Sequence, residues 1–73
     1  MQVKQQGVDA AEVVGEIVQG MLQTSRPVRL KDLEMQTGIA SAKLHRYLVS
    51  MLRSGLVTKS ADGSRYDFGL LAY

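Results

Sequence analysis

Lys43, Arg46, Ser50 and Arg53 stand three, seven and ten residues apart, the repeat of one helical face, and no acid interrupts them. Three of these side chains are cations that can only donate and the fourth is a hydroxyl; together their chemistry is to hold an anion, above all a phosphate oxygen, or to meet the edge of a base. Competing chemistries need residues the chain does not group. There is no cysteine and a single histidine, His45, so no metal site and no thiolate nucleophile is expected. A Ser-His-Asp set can be assembled on paper from Ser41, His45 and an aspartate, but nothing in the sequence brings the three together, and so small a domain leaves no substrate pocket. The chain is therefore read as a non-enzyme without cofactors.

Seventy-three residues make one domain at most. A chain of that length buries about 60% of its unfolded surface, enough for a thin core. The net charge of +2 is small, but it is unevenly placed. Residues 1–37 carry four bases against five acids; residues 38–73 carry five bases against two. The excess lies in the half that holds the basic face, as a polyanion partner requires. No apolar run approaches a membrane span and no signal peptide opens the chain, so a cytoplasmic protein with no membrane partner is expected.

Several elements must position that face. Residues 1–8 are polar with a glycine and read as a flexible arm. Asp9 with Glu12 forms a capping box, and Val8 with Val13 a hydrophobic staple, so a first helix is predicted from residue 9 to about 23. Its stripe is wide: Val13, Val14, Ile17, Val18, Met21 and Leu22. Gly15 and Gly20 interrupt it, which suggests another helix passing close by. Pro27 breaks the pattern, with room for a short extended piece at residues 28–30. A second helix is expected over residues 31–37, pointing Leu33 inward and ending at Gly38. The third runs from about residue 41 to 54, with Leu44, Tyr47, Leu48, Met51 and Leu52 on its inner arc and His45 at the border. The period then changes to that of strands. Residues 56–59 and 65–68 form a hairpin with Asp62-Gly63 at the centre of its turn, Tyr66 and Phe68 on one face, Arg65 and Asp67 on the other.

Two helices joined by a tight turn, the second longer and basic outside, then a hairpin, make a winged helix-turn-helix: mainly α, a three-helix bundle plus a wing. The third helix fits the major groove of double-stranded DNA. Ser41 and Ala42 let its backbone approach, and Lys43 and Arg46 reach toward bases. Ser41, Arg29 and Arg53 meet phosphates, Ser50 shares the face, and His45 either meets a phosphate or packs against the wing, the two being equal alternatives. Lys59, Ser64 and Arg65 of the wing, residues 56–68, lie along the backbone or in the minor groove.

The stretch "VRLKDLEMQTGIASAKLHRYLVSMLRSGLV", followed by "SRYDFG", resembles the DNA-binding domain of the IclR-type bacterial transcriptional regulators. The likeness is carried by Leu30 and Leu33, the turn Thr37-Gly38-Ile39, and the core His45, Arg46 and Leu48. The exit Gly55-Leu56-Val57 and the wing's end at Tyr66, Phe68 and Gly69 complete it. It implies a domain over residues 9–69 and the start of a linker at 70–73. It further implies a homodimer, through the first helix or a C-terminal region outside this chain, and an effector ligand only where such a region exists. Departures at Arg29, Glu34, Ala40, Ser41, Ala42 and Lys43 mean that no relative's operator can be transferred. The alternative is a winged helix used for protein–protein contact, with Val49 and the first-helix stripe as its surface.

Overall fold

A computed structural model describes residues 9–69; the expected arm at 1–8 and linker start at 70–73 lie outside them. Helix α1 spans Asp9–Leu22, strand β1 Val28–Arg29, helix α2 Leu30–Thr37, helix α3 Ser41–Ser54, strand β2 Val57–Lys59 and strand β3 Arg65–Phe68.

Asp9 is the first residue of α1 rather than the residue before it, and Val8, half of the expected staple, is outside the described chain. One side of α1 sinks Val13, Ile17 and Met21 into the core, where they meet Leu33 of α2 and Leu44, Leu48 and Met51 of α3. Among the described residues ten make up that core, completed by Val28, Val57 and Tyr66 from the strands. The stripe of α1 is wider than its contact. Val14 and Val18 are half-buried, and Leu22 is 60% exposed.

At Gly20 α1 packs tightly on α2. A Cβ built there would stand 2.7 Å from Thr37 Cγ2, inside any real contact. Gly15 differs: nothing lies within 4 Å of its position, so the helix approach inferred for both glycines holds for one only.

The turn between α2 and α3 is compact. Gly38 takes φ 77, a left-handed conformation that costs other residues a clash, and its amide donates to Glu34 O at 2.9 Å. The Thr37 hydroxyl donates to Leu33 O at 2.8 Å and accepts from the Ile39 amide at 3.1 Å. Gly55 closes α3 in the same left-handed way at φ 85.

The strands form one antiparallel sheet in the order β1-β3-β2. The extended piece after Pro27 is thus the third strand of the wing's sheet, with Val28 opposite Tyr66 and Arg29 opposite Arg65. On the other side of β3, Val57 faces Phe68, Thr58 faces Asp67 and Lys59 faces Tyr66. The hairpin turn closes through Gly63 N to Ser60 O at 2.9 Å, with Gly63 at φ 76. Ser60 N donates to Arg65 O at 2.9 Å, so the strands are joined by a four-residue loop, residues 61–64, with Asp62-Gly63 at its centre as expected.

Candidate nucleic-acid interface

Burial of Leu44, Leu48 and Met51 fixes how α3 is rotated, so the opposite side chains face water. Ser41, Ala42, His45, Arg46, Ser50 and Arg53 are exposed; Lys43 and Val49 are half-buried at the edges. The four residues of the basic face thus share one side of α3, and none is covered. Two salt bridges exist among the described residues, Arg26–Asp67 and Arg29–Asp32, and neither touches α3. Among the described residues no carboxylate pairs with the face. Its first turn contains no acid, and Ala40 at the N-cap offers no side-chain acceptor. The first amides of α3 are therefore free to meet an anion. His45, for which packing and phosphate contact were equal alternatives, is exposed rather than packed.

The wing residues divide. Arg65 lies on the outer face of the sheet, opposite Arg29. Lys59 lies on the helix-facing side with Tyr66, its Nζ 5.5 Å from the ring centroid. The Ser64 hydroxyl donates to Asp62 Oδ1 at 2.8 Å, so its proton serves the turn. That same oxygen accepts from the Ser60 hydroxyl at 2.7 Å and the Ser64 amide at 3.0 Å. These bonds, the Ser60 hydroxyl foremost and then the Ser64 amide and hydroxyl, hold the Asp62 carboxyl at about 2, below its ordinary 3.8. The wing tip therefore carries a carboxylate that the charge count registered but the interface did not use. Its signal was present: an aspartate with serines two residues before and after is the composition of side-chain-braced turns.

Arg29 stands at the N-cap of α2 without capping it, and its Nε is 3.8 Å from Asp32 Oδ2. Arg26 is the basic residue that the sequence did not mark out. Its Nη1 donates to Met21 O at 2.6 Å, its Nε lies 3.5 Å from Asp67 Oδ1, and its guanidinium sits 5.0 Å above the Phe68 ring. It ties the end of α1 to the sheet and is occupied by the fold. Among the described residues no three histidines or carboxylates gather as a metal site, and no helix is long and apolar enough to cross a membrane.

Three helices around one core, a left-handed turn at Gly38, an uncovered cationic helix and a hairpin on its C-terminal side define a winged helix-turn-helix domain. Residues 11–61 match the family described as the IclR helix-turn-helix domain. HmgR of Pseudomonas aeruginosa superimposes with a TM-score of 0.82 at 31% identity, over 89% of this chain and 27% of that one. An IclR-family protein from Rhodococcus sp. shares the fold with a TM-score of 0.64 at 22% identity, over 94% of this chain and 29% of that one. No curated protein sequence gives a significant match. The chain belongs to the IclR helix-turn-helix family, a class of DNA-binding domain of transcriptional regulators and not a class of enzyme. It spans under a third of the length of either structural relative.

Proposed function

We propose that this chain is the sequence-specific DNA-binding domain of a bacterial transcriptional regulator, working in the cytoplasm at the nucleoid. The observation that carries the reading is the exposed, carboxylate-free flank of α3. In this reading residues 41–54 enter the major groove. Ser41 and Ala42 let the backbone in, and Lys43 and Arg46 reach base edges, where a good bidentate contact discriminates by about 1–3 kcal/mol. His45, Ser50, Arg53 and Arg29 hold phosphates. The wing, through Lys59, Ser64 and Arg65, lies along the backbone or the minor groove. The domain takes residues 9–69, and no catalytic step or cofactor is part of the function.

The test is a titration of the purified domain against labelled duplexes over a salt series. The reading expects affinity that falls as salt rises, because each neutralised phosphate releases condensed counterions. Selection from random oligonucleotides should then enrich one half-site, its spacing reporting the dimer. Affinity that ignores salt for every duplex would end this reading.

A second reading, contact with protein, has one observation in its favour. Val18, Leu22, Leu56 and Phe68 line an apolar cleft of about 390 Å³, with Arg26 at its side. We assign this cleft to a homodimer contact made by the first helix, which accompanies DNA binding rather than replacing it. If reversing the charges of Lys43 and Arg46 left duplex binding intact, protein contact would be the better account.

A further inference from the structure

We propose that Arg29 and Arg65 grip a single phosphate of the bound duplex between them, and that Asp32 is the competitor this phosphate displaces. The proposal rests on the DNA-binding reading above and adds a coupling which that reading does not contain.

Arg29 and Arg65 are directly opposite each other across the β1–β3 pair. Their neighbours Val28 and Tyr66, also opposite each other, are buried, so both arginines point to the outer face. Directly opposed residues of an antiparallel pair have Cβ atoms about 4.5–5.5 Å apart, and like charges so placed destabilise the sheet. One exposed carboxylate at most balances the two cations. Asp67 shares the outer face but is engaged by Arg26 at 3.5 Å. Asp32 reaches Arg29 only, at 3.8 Å, with the two side chains 61% and 52% exposed. Arg65 has no carboxylate within 4 Å among the described residues. Two planar donor forks and one loosely held carboxylate leave a net cationic notch suited to a tetrahedral phosphate, which offers an oxygen to each fork.

Position gives the notch its use. Arg29 is the last residue before α2, and Arg65 the first after the wing's turn. A phosphate seated between them joins the helix-turn-helix to the wing along one stretch of backbone. The notch has no walls, so a free phosphate ion would be held feebly. A phosphodiester already anchored by α3 arrives at high effective concentration.

The test is a double-mutant cycle with Arg29→Gln, Arg65→Gln and the pair, titrated by anisotropy against one labelled duplex over a salt series. Each single variant should lose about tenfold in affinity, and the double variant no more than about tenfold, because either change opens the same clamp. The slope of log affinity against log salt should fall by about one unit in all three variants. Asp32→Asn should tighten binding when Arg29 is present and leave it unchanged in Arg29→Gln. Free of duplex, Arg65→Gln should unfold at a higher temperature than the unsubstituted domain, since a like-charge pair has been relieved. Losses that multiply, or a slope that falls by about two units in the double variant, would mean two separate phosphates and overturn the clamp while leaving DNA binding intact. An unchanged affinity in Arg65→Gln would overturn it too. If the unsubstituted domain binds no duplex, the functional reading fails first and takes the clamp with it.

Discussion

Arg26 Nε lies 3.5 Å from Asp67 Oδ1, and the same guanidinium donates to Met21 O at the C-terminal end of α1. No basic residue occupies the last turn of α1, so Arg26, from beyond the helix, supplies the cation that the helix's negative end favours. The ion pair is partly exposed, at 31% and 44%, and by itself contributes little. The guanidinium's bond to a helix-terminal carbonyl and its place over Phe68 add to it. Arg26→Ala should therefore destabilise the fold by about 1–2 kcal/mol, and Asp67→Asn by less than about 1 kcal/mol. Urea unfolding of the two variants gives both values; equal losses would show that the ion pair dominates.

The two glycines of α1 should respond in opposite directions to alanine. At Gly15 the added methyl meets nothing within 4 Å, so only helix propensity acts, and Gly15→Ala should stabilise by about 0.5–1 kcal/mol. At Gly20 the methyl meets Thr37 Cγ2 at 2.7 Å, and the two hydrogen bonds of the Thr37 hydroxyl hold that side chain in place. Overpacking costs about 1–3 kcal/mol, which outweighs the propensity gain, so Gly20→Ala should destabilise. Thermal midpoints of the two variants, measured side by side, decide the point.

Arg46→Ala tests the proposed recognition face at its centre. Arg46 is exposed and makes no salt bridge, so folding stability should change by under about 0.5 kcal/mol. Specific duplex affinity should fall by about 1–3 kcal/mol, with discrimination lost at one base position. A uniform loss over all sequences would instead make Arg46 a phosphate contact.

The wing turn should weaken in acid. The Asp62 carboxyl is held at about 2 against an ordinary 3.8 because three donors converge on Oδ1. The unfolded chain therefore takes up this proton first as pH falls. The turn's share of stability is fully present above about pH 4 and is lost as pH drops toward about 2. Asp62→Asn should remove that acid-side dependence, and a carboxyl titration followed by NMR should find the residue with a midpoint near 2. A midpoint at the ordinary value would mean that the serine bonds do not persist in solution.

The basic face of α3 was legible in the sequence because its two signals are local. A helical repeat reports its own buried face, so the inward set Leu44, Leu48 and Met51 fixed the outward set without knowledge of any neighbour. Gly38 and Gly55 marked where helices end, since each stop is written in one residue's conformation. Family membership was likewise carried by short runs in fixed order, and the match over residues 11–61 bears it out.

Tertiary structure decided what depends on contacts between distant segments. A two-residue strand has no period to read, so only pairing with β3 gave Val28–Arg29 its place and set Arg29 opposite Arg65. The different reasons for Gly15 and Gly20 depend on where α2 crosses, which α1 does not encode. Arg26 looked like one more surface cation until Met21 of α1 and Asp67 and Phe68 of β3 closed around it. Side-chain type and spacing determine which face is buried and which carries charge; which cations the fold itself engages, and which stay free for a partner, is settled only by register and packing.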